Sequence, residues 1–159
     1  MNLNTLLLPY VYNYLKLDSR GYGIILSFKG SSMLISSLFM PVLINKFSEI
    51  TVFKLGVTGL GLVLLLFPLN EIFALAAILQ SLNGIFNLMY SVTRTTIIQK
   101  HGENQYLGRV FSTNSMFINI ASVISLSTSG FLAEITSVRF VLIVAGLIVL
   151  LAGPYLYLI

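Results

Sequence analysis

Apolar residues run along this chain in long unbroken segments, and only one polar passage between them is long. Crossing about 30 Å of hydrocarbon takes roughly 20 helical residues at about 1.5 Å each. Five segments meet that requirement, at about 22–44, 52–70, 72–94, 110–132 and 138–158. A sixth, about 3–15, is apolar enough but too short, and reads as the second half of a span whose first half is missing. The runs are continuous and lack period-two alternation, so the pattern predicts helices rather than barrel strands. The expected fold is all-α: a polytopic transmembrane bundle of five full spans and a partial N-terminal one. No Pro-rich or Gly/Ser-rich linker divides it, so residues 1–159 form a single domain.

Composition narrows the solvent to lipid. The chain is 57% hydrophobic and 9% charged, against about 25% charged in an ordinary soluble domain. Too few charges remain to coat a soluble core. With no cysteine there is no disulfide, thiolate metal site or thiol nucleophile. The net charge of +4 is scattered over several loops and offers no basic run for a nucleic-acid backbone. The first stretch does not read as a signal peptide: it shows no basic n-region and no small-x-small cleavage site, and Pro9 and Asn13 interrupt its apolar run.

The polar connections set an orientation. Those at 45–54 and 94–109 hold Lys46, Lys54, Arg94, Lys100 and Arg109, whereas the opposite side holds Lys16, Arg20 and Arg139. The positive-inside rule therefore favours a cytoplasmic side for 45–54 and 94–109, and with it a cytoplasmic C-terminus. The long polar passage, residues 91–112, then reads as a cytoplasmic loop. Glu71 and Glu134 fall in short outer turns and are expected to be solvated.

The spans differ in kind. Segments 52–70 and 138–158 are oily and suit helices facing lipid. In 72–94, residues Gln80, Asn83, Asn87, Tyr90 and Arg94 fall within an arc of about 80° at about 100° per residue. In 110–132, Ser115, Ser122, Ser125 and Ser129 share another arc of about 80°, and small residues on one face let helices approach closely. The order of oily and polar spans suggests an approximate three-helix repeat, a pattern common in secondary transporters.

Two stretches resemble the major facilitator superfamily, in its drug- and macrolide-efflux branch. "TRTTIIQKHGENQYLGRVFS" followed by "TSGFLAE" is similar to the loop between the tenth and eleventh helices of those exporters, with Arg94, Gln99, Gly108, Arg109, Val110, Phe111 and Ser112 in matching places. The opening resembles the end of the seventh helix and the eighth, through Leu8, Pro9, Gly21, Tyr22, Gly23 and Gly30. The resemblance covers the chain but only the last five and a half of the family's usual twelve helices, so it implies a C-terminal half. It implies that segments 3–15 and 72–94 line a central cavity and that 22–44 and 110–132 meet the other half. One stretch departs from the family: "MPVLINKFSEITVFK" has Asn45 where an Asp stands in the family, and only Lys46 and Lys54 as bases.

Each candidate residue has a functional reading and a plainer one. Lys29 lies well inside its span, where a charge costs about 2.5–3.5 kcal/mol on insertion scales. It either snorkels to the interface or meets an anionic substrate or a coupling carboxylate. Gln80, Asn83, Asn87 and Tyr90 either line a wet translocation path or hydrogen-bond neighbouring helices, at about 0.6–2 kcal/mol each. Arg94, Gly108 and Arg109 are gating candidates, or simply position the cytoplasmic loop.

No metalloprotease, serine-hydrolase or P-loop motif and no paired carboxylates occur, so no catalysis, metal or cofactor is expected. The expected function is the C-terminal part of a secondary transporter, an efflux antiporter of the cell membrane working by alternating access. Its partners would be the lipid bilayer, a small-molecule substrate, and a missing or separately encoded N-terminal half. The alternative is a small non-transporting membrane protein that associates with another membrane complex.

Overall fold

The computed structural model describes residues 3–103 and 105–155, and the side chains of 7–103, 105–132 and 135–151. Six helices follow one another: α1 (Leu3–Asn13), α2 (Ser19–Phe47), α3 (Glu49–Leu66) with a 3-10 turn (Phe67–Leu69), α4 (Phe73–His101), α5 (Leu107–Ile135) and α6 (Val138–Tyr155). The all-α bundle predicted from the apolar pattern is the fold. Among the described residues four helices are long and apolar enough to cross a bilayer, namely α2, α3 with its 3-10 turn, α4 and α5, while the apolar described part of α6, Val138–Leu151, is shorter.

Local chemistry fixes the breaks. Asp18 caps α2, its carboxylate accepting from the Gly21 backbone N–H at 3.0 Å. Between α2 and α3 the expected connection at 45–54 shrinks to one residue, Ser48, which turns the chain at φ 65°. Asn70 breaks the α3–α4 turn, its side chain bridging the N–H and C=O of Ile72. The passage at 91–112 is mostly helical: α4 continues through His101, α5 begins at Leu107, and only Gly102 to Tyr106 connects them. Helices outrun their apolar segments here because polar residues in the last turns satisfy their backbone internally and extend into water.

Segment 52–70 does not behave as a helix facing only lipid. As α3 it lies between α4 and α6 and packs along both. Glycines permit this: a Cβ on Gly56 would lie 2.8 Å from the Tyr90 backbone nitrogen, and one on Gly61 would lie 3.0 Å from that of Leu150. Gly146 of α6 meets Leu65 in the same way. Without a hydrophobic force between helices in lipid, such backbone proximity and the dispersion it yields hold the bundle together. An oily sequence conceals this, because packing and lipid exposure select the same apolar residues.

Two apolar clusters form the interior. One joins Leu7, Tyr10, Val11, Phe67 and Leu142 at the Arg139 end, and the other joins Met40, Val52 and Met89 toward the Lys100 end. Helices α2 and α5 contribute least: 11% and 6% of their apolar windows are buried, against 39% for α3 and α4. Their outward faces carry Ser27, Ser31 and Ser37 on α2, and Ser115, Asn119 and Ser127 on α5, all exposed.

Candidate functional site

The polar arc of α4 starts next to Leu79 of the first apolar cluster and runs past Met89 of the second. Gln80 and Asn83 are buried, at 1% and 3% exposure, whereas Asn87, Tyr90 and Arg94 are half-buried. The row is therefore split. Its first two members face the interior of the bundle, and the other three are partly accessible. Both side-chain amide atoms of Gln80 lack a hydrogen-bond partner. This is unusual, since buried polar groups are nearly always paired.

Tyr90 and Arg94 form a unit one turn apart. The Arg94 guanidinium donates to the Tyr90 hydroxyl at 3.4 Å and sits 5.4 Å from the centroid of its ring. The Tyr90 ring also packs at 5.5 Å from Phe53 of α3. Arg94 Nε is buried without a partner. Arg94 is thus a residue within α4 rather than a loop residue as expected. Gly108 and Arg109 are also helical, in the first turn of α5, and both are exposed. Nothing lies within 4 Å of a Cβ built on Gly108, so no close approach requires a glycine there.

Lys29 is half-buried on α2. Helices α2 and α4 cross at Gly84, where a Cβ would fall 2.5 Å from the Lys29 carbonyl oxygen and would also meet Ser32. The structure thus sets Lys29 and Gly84 at one level and leaves Gln80 one helical turn away along α4. Beyond the crossing, toward the Lys100 end, α2 and α4 flank a cleft of about 360 Å³ lined by Ser37, Met40, Ile44, Asn45, Val92 and Thr96. The four serines predicted to share a face on α5 divide as well. Ser129 is buried, Ser122 and Ser125 are half-buried, and Ser115 is exposed. Ser125 and Ser129 line a cleft of about 340 Å³ against α6.

Two polar clusters were not foreseen. At one end Lys100 of α4 pairs with Glu49 of α3 at 2.5 Å, beside a cleft of about 800 Å³ that also takes in Asn45 and Lys46. A charge pair therefore closes this end although Asn45 replaces the expected acid, and the partners come from loop-flanking helix ends 51 residues apart. At the other end Arg139 pairs with Glu71 at 2.5 Å and stands 4.6 Å over the Tyr14 ring. Glu71 is exposed, as the turn assignment suggested, and carries this pairing as well. The Glu134 side chain lies outside the described residues. Nearby, the buried Tyr10 hydroxyl donates to the backbone oxygens of Phe67 and Asn70, tying α1 to the α3–α4 turn. A tyrosine at helical spacing in an apolar segment gives no sign of such a bond. Among the described residues no group of His, Cys, Asp and Glu could hold a metal.

A family model for the Major Facilitator Superfamily matches residues 1–159. No curated protein and no solved structure matches the chain. The chain belongs to the Major Facilitator Superfamily, a family of multi-pass membrane transporters.

Proposed function

From that membership we propose that the chain is the C-terminal half of a secondary transporter of the drug- and macrolide-efflux type, exporting a small molecule by alternating access. It sits in the cell membrane with the Lys100 end and the C-terminus cytoplasmic, following the bias of Lys46, Lys54, Arg94, Lys100 and Arg109 over Lys16, Arg20 and Arg139. An N-terminal half, preceding it or separately encoded, completes the cavity.

The observation that carries this reading is the selective exposure of α2 and α5. These are the two helices that the resemblance assigns to the contact with the other half. Lipid would favour purely apolar outer faces, yet theirs bear Ser27, Ser31, Ser37, Ser115 and Asn119. A second half covering them would bury small polar side chains against small polar side chains. Of the polar arc on α4, Asn87 is the accessible amide, with Asn83 behind it. Among the described side chains, the acids Asp18, Glu49, Glu71 and Glu103 stand at helix ends or in turns, which favours an ion-coupled antiport cycle whose intramembrane carboxylate comes from the other half.

The test is efflux of ethidium and of a macrolide from cells that carry the chain together with an N-terminal half. Asn83→Leu and Asn87→Leu are expected to abolish efflux at unchanged membrane abundance. Unchanged efflux in both variants would remove the cavity assignment. No efflux from the assembled pair, with recovery of the chain in another membrane complex, would favour the non-transporting accessory role.

A further inference from the structure

We infer that the Lys100 end of the bundle holds a site for an anionic phospholipid, with its phosphate in the polar cleft beside Glu49 and an acyl chain in the apolar cleft between α2 and α4. The first observation is that the two clefts adjoin. Ile44, Asn45 and Thr96 stand in the walls of both. Beyond those three residues the linings diverge. The larger cleft, of about 800 Å³, adds Lys46, Ser48, Glu49, Thr51 and Lys100. The smaller, of about 360 Å³, adds Met40, Pro41 and Val92. Its two hydroxyls add little polarity, since Ser37 donates to the Leu34 carbonyl and Thr96 to the Val92 carbonyl of their own helices. A polar cleft thus leads into an apolar one, which is the order of head group and chain in an amphiphile.

The second observation is charge. Lys46 and Lys100 both line the polar cleft and both are exposed. Two ammoniums stand there against the single carboxylate of Glu49, so the described lining is positive on balance. Glu49 takes one N–H of Lys100 at 2.5 Å. An ammonium has three such donors, so Lys100 can hold Glu49 and a phosphate oxygen together. The Lys46 ammonium lies 5.4 Å from the centroid of the Phe47 ring, which also lines the cleft and steadies the charge beside it.

The depth of the site selects a lipid. The apolar run of α2 ends at about residue 44 and the helix itself at Phe47, so the lysines stand at the level of phospholipid head groups. Basic pockets between spans at that level suit anionic head groups. A soluble anion would use the lysines and leave the apolar cleft empty, whereas a phospholipid fills both. Phosphatidylcholine brings an ammonium of its own into a positive cleft. Phosphatidylglycerol brings a net negative charge and no cation. Ser37 also belongs to the outward face of α2, so the lipid would border the contact with a second half.

The site follows from the two clefts and does not depend on transport. The chain contains no tryptophan, so Phe47→Trp places one fluorophore at the polar cleft. The full chain is reconstituted in phosphatidylcholine vesicles, and phosphatidylglycerol or phosphatidylcholine brominated near the head of its acyl chains is titrated in. Quenching of the tryptophan reports occupancy. Each lysine near an anionic head group is worth about fivefold in affinity, so brominated phosphatidylglycerol is expected to bind about tenfold or more tightly than brominated phosphatidylcholine. Lys46→Gln should cut that preference about fivefold. Lys46→Arg should keep it, and Arg20→Gln, at the opposite end, should leave it unchanged. Equal quenching by the two lipids, or a full preference in Lys46→Gln, would overturn the site. Soluble glycerol 3-phosphate separates the two sources of phosphate. Failure to reverse the quenching supports a lipid held by head and chain, and full reversal would assign the cleft to a free phosphate ester and overturn the lipid.

Discussion

Adding one methyl group at the α2–α4 crossing tests whether that contact holds the bundle. In Gly84→Ala the new Cβ would lie 2.5 Å from the Lys29 carbonyl oxygen, about 0.9 Å short of ordinary contact, with Ser32 and Met33 also against it. The carbonyl belongs to a continuous helix, so it cannot rotate aside and α2 must recede as a body. A gap of about 0.5–1 Å forfeits a quarter to a half of each contact's attraction along the seam. Overpacking of this kind costs about 2–3 kcal/mol, and alanine's helix propensity returns about 0.8–1 kcal/mol. The net loss is about 1–2 kcal/mol. Gly30→Ala in α2 is the control, since nothing lies within 4 Å of its Cβ and only the propensity gain remains. Reversible SDS titration in mixed micelles, followed by far-UV circular dichroism, ranks the two against the parent chain. Equal or greater stability for Gly84→Ala would refute the close crossing and the placement of Lys29 that depends on it.

Two further outcomes follow from the ends of the bundle. Tyr10→Phe removes the hydroxyl donor from the Asn70 carbonyl and leaves the Phe67 carbonyl with only the Asn70 N–H, with a loss of about 0.5–1.5 kcal/mol in the same titration; an unchanged midpoint would show that α1 is held by packing alone. Glu49→Gln and Lys100→Gln should each loosen the α3–α4 end, with no further loss in the double variant. Sensitivity of the parent's stability to added salt, absent in the double variant, identifies the pair as the cause, and additive losses would disprove the pairing.

Much of the fold was legible because bilayer thickness converts directly into segment length. The apolar runs at 22–44 and 110–132 sit inside α2 and α5, and the run at 72–94 starts at the residue that precedes α4 and otherwise lies within it. The helix ends were not legible. Lys46, Lys100 and Arg109 are polar and seemed to belong to loops, but helical backbone satisfies itself in water as well as in lipid. The arc on α4 was also visible as an arc. Periodicity places residues around an axis without saying which neighbour stands opposite, so buried Gln80 and half-buried Asn87 looked alike.

The sequence by itself determined the solvent, the helical class and the polar face of α4. These depend on composition and on local period, both properties of neighbouring residues. Only the tertiary structure decided that oily α3 is the packed centre, and that Glu49 meets Lys100 and Glu71 meets Arg139 across 51 and 68 residues. It alone put Lys29 beside Gly84. Each of those facts concerns two surfaces brought together in space, and in a membrane the apolar code that would mark a buried surface is the same one that marks a surface facing lipid.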